Sequence, residues 1–121
     1  MNALTNSVQL IGRIGNDVEV KTTTKDTKVC NIRLATNEYS RNTNGEWLET
    51  TYWHSLIFWG KLAEKLERTG QKGSRLLLQG SITYSEYTDT NDIKRERTEI
   101  KINQFIVLDN RKTPSPEEEF E

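Results

Sequence analysis

Residues 49–64 read ETTYWHSLIFWGKLAE and hold two of the three tryptophans and the only histidine of the chain. Up to Trp59 the stretch is rich in aromatic and aliphatic side chains, which favour a half-buried strand. Gly60 interrupts this run, and the helical spacing of apolar residues predicts a short helix over residues 61–69. The stretch therefore predicts a strand that turns directly into a helix.

Side chains along this strand alternate between its two faces. One face is polar and aromatic: Trp53, Ser55, Ile57 and Trp59. The other face is largely apolar: Tyr52, His54, Leu56 and Phe58. The aromatic face allows two interpretations, because tryptophan is mostly buried by packing but also forms surfaces on which unpaired nucleic-acid bases stack.

Alternating polar and apolar residues predict further strands on both sides of residues 49–64. In chain order, the sequence predicts a strand at 6–14 that residues 17–24 continue or pair with, a strand at 28–37, a loop at 38–45 with Trp47 on or near it, and, after the helix, strands at 74–82 and 95–109. A change of phase after Ile102 predicts a bulge near Asn103.

The order of three strands, one short helix and two strands is typical of a small closed barrel. We predict an all-β, five-stranded Greek-key OB-fold barrel, with the helix between strands 3 and 4 and a long hairpin between strands 4 and 5. An SH3-like barrel accounts less well for the position of the helix. The domain is predicted over residues 1–110, and residues 111–121 predict a disordered acidic tail.

Composition argues against several functional classes. Only 33% of the residues are hydrophobic, mean hydropathy is -0.78, and no apolar run approaches the ~18 residues of a membrane span. One cysteine and one histidine leave no internal disulfide and argue against a zinc site, so we expect no metal and no cofactor. The N-terminus lacks a signal-peptide pattern, so we expect a cytoplasmic protein.

Charge is distributed unevenly along the chain. The net charge is -1, but all 17 basic residues and 14 of the 18 acidic residues lie at or before residue 112. A weakly basic body is therefore followed by an acidic end. Motifs of nucleotide-binding loops, serine hydrolases and zinc proteases are absent from the sequence, so we do not expect an enzyme.

Aromatic and cationic residues are interleaved in a manner that suits unpaired nucleic acid. Aromatic rings stack on bases, at ~1–3 kcal/mol per base, and cations neutralise phosphates. The aromatic candidates are Tyr39, Trp47, Trp53, Trp59, Tyr84 and Tyr87. The cationic candidates are Arg33, Arg41, Lys61, Lys72, Arg75, Arg95 and Arg97.

Four segments resemble the bacterial single-stranded DNA-binding protein family: NSVQLIGRIGNDVEV, NIRLATNE, TYWHSLIFWGKLAE and QKGSRLLLQGSI. The resemblance covers residues 6–109. It implies an OB-fold that assembles as a homotetramer, a dimer of dimers, and wraps single-stranded DNA without base specificity. The implied function is the binding and protection of single-stranded DNA in replication, recombination and repair, in the cytoplasm and on the nucleoid.

The resemblance also implies roles for individual residues. Base stacking maps onto Trp53, Trp59 and Tyr87, and less closely onto Tyr39. Phosphate contacts map onto Lys21, Lys61, Lys72 and Arg95, and we add Arg33 as a neighbouring cation. His54 matches a histidine at the subunit interface. Trp47 has no firm equivalent, which favours a packing role.

One departure from the family lies on the predicted DNA path. The strand that enters the long hairpin carries Ser85 and Glu86 where basic residues are usual, and Ser55 likewise follows the histidine. We therefore predict weaker DNA binding and a shallower salt dependence than in a strongly basic member.

A second departure is the tail. The family ends in an acidic stretch that docks into replication and repair proteins through a terminal phenylalanine. This chain keeps acidic residues and a phenylalanine, which is not the last residue, after almost no linker: Glu117, Glu118, Glu119 and Phe120. The tail predicts either such docking or an acidic segment that competes with DNA for the basic groove.

Two further interpretations stay open. One is a shortened accessory OB-fold protein for plasmid transfer or replication restart, which binds single strands without recruiting partners. The other is an oligomeric protein-interaction scaffold in which Trp53 and Trp59 are buried between subunits. The sequence is also compatible with RNA in place of DNA.

Overall fold

The computed structural model of the protein describes residues 4–110. Its elements, in chain order, are a 3-10 turn (Leu4–Asn6), strands β1 (Val8–Ile14), β2 (Val20–Thr22), β3 (Lys28–Arg41) and β4 (Trp47–Trp59), helix α1 (Lys61–Thr69), and strands β5 (Arg75–Thr88) and β6 (Lys94–Asp109). The predicted helix is confirmed in position and length. β1 and the three-residue β2 share the first of the five predicted strand positions.

The strands close into a barrel. Neighbours follow the order β1-β5-β6-β4-β3, and β3 returns to β1 through the pairs formed by Arg13 and Ile14. β1 changes partner just after Gly12, where any side chain would collide with the carbonyl oxygen of Ala35, so the missing side chain permits the corner. All pairs are antiparallel except β4 with β6. This closed barrel with one helix between β4 and β5 is an OB-fold, which confirms the prediction.

The core lies inside the barrel and beneath α1. The inward side chains of β4 include Leu56 and Phe58, and the Phe58 ring meets Phe105 edge-on with centroids 5.3 Å apart. α1 covers one end of the barrel with Ala63 and Leu66, which are fully buried. Nine residues do not form a stable helix alone in water, so this packing stabilises α1.

The prediction of a loop at residues 38–45 is wrong. β3 continues to Arg41, β4 begins at Trp47, and only residues 42–46 turn. The Asn42 carboxamide oxygen accepts the backbone N–H groups of Asn44 and Glu46, at 2.9 Å each, and so closes the hairpin. The polar residues of this segment form a ladder because a partner strand lies beside them, which strand propensity alone does not reveal.

The two long hairpins extend from the same end of the barrel. β4 and β6 are parallel neighbours at Leu56 and Ile100, so the preceding parts of both strands run past the barrel in the same direction. The predicted bulge is confirmed, because Gln79 lies opposite Gln104 while Gly80 lies opposite Ile102. Within residues 4–110, no helix has the length and apolar content needed to cross a membrane.

Candidate nucleic-acid interface

The outward face of β4 carries three exposed tryptophans. Leu56 and Phe58 point into the core, so the odd-numbered side chains of the strand point outward, as the alternation predicts. The exposed fractions are 66% for Trp47, 52% for Trp53 and 38% for Trp59. Within this single chain, packing therefore does not account for the aromatic face.

Trp53 lies against the backbone of the neighbouring chain segment. A side chain at Gly15 would collide with the indole ring, so glycine there allows Trp53 to lie close to the backbone. The Arg33 guanidinium lies 5.6 Å from the Trp53 ring centroid. Asn16 holds this segment to β3, because its side-chain oxygen accepts a hydrogen bond from the backbone N–H of Arg33 at 2.8 Å. The arrangement positions one ring and one cation together on the outer surface.

The tip of the β3–β4 hairpin repeats this combination. Arg41 is directly opposite Trp47 in the strand register, and its guanidinium lies 4.9 Å from the ring centroid. Tyr39 is opposite Glu49 on the same outward face and is half-exposed. Trp47 is exposed, so packing within the described part of this chain does not account for it. In the sequence, Trp47 lies six residues before Trp53, an even interval that puts both side chains on one face if the strand is continuous. The predicted loop at residues 38–45 hid this relation.

The β5–β6 hairpin supplies a second aromatic and cationic surface. Tyr87 is half-exposed, and the Arg97 guanidinium lies 4.8 Å from its ring centroid. Arg95 is directly opposite Tyr87, and its Nε donates to the Asp89 carboxylate at 2.9 Å. The backbone N–H of Ile93 lowers the pKa of Asp89 by donating to its carboxylate, and the bonds from Arg95 and from the Asn91 backbone lower it further. Arg95 is thus already part of an ion pair.

Glu86 lies on the other face of this hairpin. It is directly opposite Glu96, whereas Ser85 is opposite Arg97 on the face that carries Tyr87. Like charges opposite one another in a sheet are unfavourable. Because of this register, the acidic pair faces away from Tyr87 and from the cations predicted to contact DNA. Glu86 therefore reduces the positive charge of the predicted DNA-binding face less than its position in the sequence suggests.

The three candidate lysines are exposed but spread over the surface. Lys21 lies on β2, Lys61 is the first residue of α1, and Lys72 lies in the turn before β5. Gly60, at φ 59°, is the single residue between the end of β4 at Trp59 and the start of α1 at Lys61. Lys61 lies two residues after Trp59 in the chain, and Lys21 lies in the same cross-strand row as Trp59, through Val29.

His54 occupies the inward-facing row of β4 and is half-buried. Its Nε2 lies 2.8 Å from the Thr36 hydroxyl oxygen. Burial lowers the pKa of His54, because the charged imidazolium is less well solvated there. A neutral imidazole that bonds to a neighbouring strand fits a structural position, and its predicted place at a subunit interface stays a prediction.

The model of the single-strand binding protein family matches residues 5–108 of this chain. The chain belongs to the single-strand binding protein family. It is 32% identical over 106 residues to the single-stranded DNA-binding protein of Xanthomonas axonopodis pv. citri, covering 88% of this chain and 59% of that protein. Its identity to the Neisseria meningitidis serogroup A protein of the same name is 36%, covering 88% of this chain and 61% of that protein.

Solved structures of the family agree with the fold. The Plasmodium falciparum SSB in complex with ssDNA superposes with a TM-score of 0.80 at 30% identity, covering 90% of this chain and 100% of that one. A deletion mutant of the Thermus aquaticus single-stranded DNA binding protein shows the same fold, with a TM-score of 0.76 at 20% identity over 88% of this chain and 51% of that one. The present chain spans about 60% of the length of the curated family members above.

Proposed function

We propose that this protein binds single-stranded DNA without base specificity and protects it during replication, recombination and repair, in the cytoplasm and on the nucleoid. The exposed tryptophans on the outward face of β4 carry this proposal. Family membership supports it, as does the likeness to an SSB that was solved with ssDNA.

Binding in this proposal combines stacking with phosphate contacts. The stacking rings are Trp53, Trp59, Tyr87 and Tyr39, and the phosphate-binding cations are Lys21, Lys61, Lys72, Arg95 and Arg33. Every base has a flat face, so stacking at ~1–3 kcal/mol per base discriminates little between sequences. No bond is made or broken, so the protein acts as a binding protein and not as an enzyme.

Titration with oligo-dT tests the proposal. We expect strong quenching of tryptophan fluorescence by the single strand and little by duplex of equal length, because paired bases are not free to stack. Five cations allow a slope of log K against log salt of about -3.5, and a shallower value is expected because Arg95 is shared with Asp89. Unchanged fluorescence with no mobility shift favours the protein-interaction scaffold instead, and stronger binding of RNA moves the role to RNA.

We further propose a homotetramer built as a dimer of dimers. Among the described residues, β1 pairs with β5 along one edge and reaches β3 only at Arg13 and Ile14, so its other edge is open to a second copy. The outer face of β1, β5 and β6 presents a cross-strand apolar row, exposed at its two ends and half-buried in its middle, beside a glutamine row, and two dimers stacking there would cover it. The apolar row is Ile11, Leu77 and Ile106, and the glutamine row is Gln9, Gln79 and Gln104.

Recruitment of replication and repair proteins through the acidic tail belongs to the same proposal. It is supported by the composition of residues 117–121 alone, which lie outside the described residues. Pull-downs with the full chain and with a chain lacking residues 113–121 test it. We expect less recovery of these proteins with the shortened chain, and equal recovery contradicts docking through the tail.

A further inference from the structure

We propose that Trp47, backed by Arg41, is an additional base-stacking position at the tip of the β3–β4 hairpin. In this arrangement, the bound single strand follows the outward face of β4 beyond the barrel. The inference rests on the proposed function and extends it to a part of the chain that the sequence predicted as a loop.

Register places the three tryptophans of the chain in one row. Trp47, Trp53 and Trp59 are separated by intervals of six residues on one continuous strand, and an even interval returns each side chain to the same face. At about 3.3 Å per residue, neighbouring tryptophans are about 20 Å apart along the strand. A single strand that contacts Trp59 and Trp53 and continues in the same direction therefore reaches Trp47.

The surroundings of Trp47 resemble those of Trp53. Each ring has a guanidinium near it, from Arg41 at 4.9 Å and from Arg33 at 5.6 Å, and each guanidinium belongs to the adjacent strand β3. A cation over one ring face holds the ring in place through a cation–π contact. Trp47 is the most exposed of the three tryptophans, so ring surface is available to a base.

Charge near the tip determines what kind of contact is formed. Glu49 lies on the same outward face between Trp47 and Trp53, and Glu46 lies in the turn. Carboxylates repel phosphates, so Arg41 is not part of a strongly basic patch. The contact at Trp47 is therefore with bases, and its removal should lower affinity at every salt concentration without changing the salt slope.

Substitution of Trp47, with Leu48 as the matched control, tests the inference. Leu48 is half-exposed on the same hairpin but points to the opposite face. We expect Trp47→Ala to weaken binding of an oligo-dT of about 15 nucleotides by about 5- to 150-fold, with the salt slope unchanged. An oligo-dT of about 5 nucleotides, near the lower end of the site size of one OB-fold, should be affected little. Leu48→Ala should bind both like the wild type.

A fluorescence reporter locates the contact directly. In Trp53→Phe/Trp59→Phe, Trp47 is the sole tryptophan. Saturating long oligo-dT should quench it strongly, and the short one should quench it weakly.

Failure of this inference is distinguishable from failure of the proposed function. If the wild type binds and Trp53→Ala weakens binding, but Trp47→Ala behaves like Leu48→Ala, only the role of Trp47 is overturned. If the wild type binds no single strand, the proposed function itself falls. If Trp47→Ala changes the mass in solution, the tip is a contact between subunits and the inference is also overturned.

Discussion

Trp53→Ala/Trp59→Ala should bind oligo-dT roughly 30-fold to 20,000-fold more weakly than the wild type, the loss expected for two stacking contacts of ~1–3 kcal/mol each. The remaining cations should preserve weak, salt-dependent binding. The salt slope should therefore stay near that of the wild type while the affinity falls. Isothermal titration or fluorescence anisotropy with a labelled oligonucleotide measures both quantities.

Tyr52→Ala is the control for this prediction. Tyr52 lies on the same strand, and its exposed fraction of 48% is close to that of Trp53, but its side chain points to the opposite face. Its removal should leave DNA affinity unchanged. Because Trp53 also packs on Gly15, circular dichroism and thermal unfolding should be recorded for each variant. A folded double variant that binds as tightly as Tyr52→Ala contradicts stacking on β4.

Ile106→Glu should reduce the assembly from four chains to two. Ile106 lies directly opposite Leu77 in the register of β5 and β6, at the β6 end of the apolar row. A carboxylate buried in such a contact costs several kcal/mol without a partner, and the symmetry of a closed assembly brings the new charges of different subunits near one another. The open edge of β1 is untouched, so a pair of chains should persist. Light scattering after size exclusion gives the mass.

Ile93→Glu provides the comparison. Ile93 is exposed to a similar degree but lies at the turn of the β5–β6 hairpin, away from the apolar row. It should keep the mass of the wild type. If Ile106→Glu and Ile93→Glu both keep four chains, the apolar row is not the contact between dimers; if the wild type is a monomer, the tetramer itself is rejected.

Local sequence features determined much of the fold. Alternation along residues 49–59 correctly separated Leu56 and Phe58, which the structure buries, from Trp53 and Trp59, which it exposes, because side-chain direction in a strand has a strict period of two. The helix at Lys61–Thr69 followed from its apolar spacing and the preceding glycine. The phase change near Asn103 correctly located a bulge.

Only the tertiary structure decided the extent of the two hairpins and what their faces carry. Polar residues such as Glu38 and Ser40 have no apolar pattern that marks a strand, and they are extended because they lie opposite Thr50 and Leu48 in an antiparallel ladder. Because of that ladder, Trp47 lies in the row of Trp53 and Trp59 and not in a loop. The corresponding ladder of β5 and β6 places Glu86 opposite Glu96 and on the face away from Tyr87. The pairing partner of a strand is distant in sequence, so the composition of a segment determines which residues can stack or carry charge, and the register determines which of them share a face.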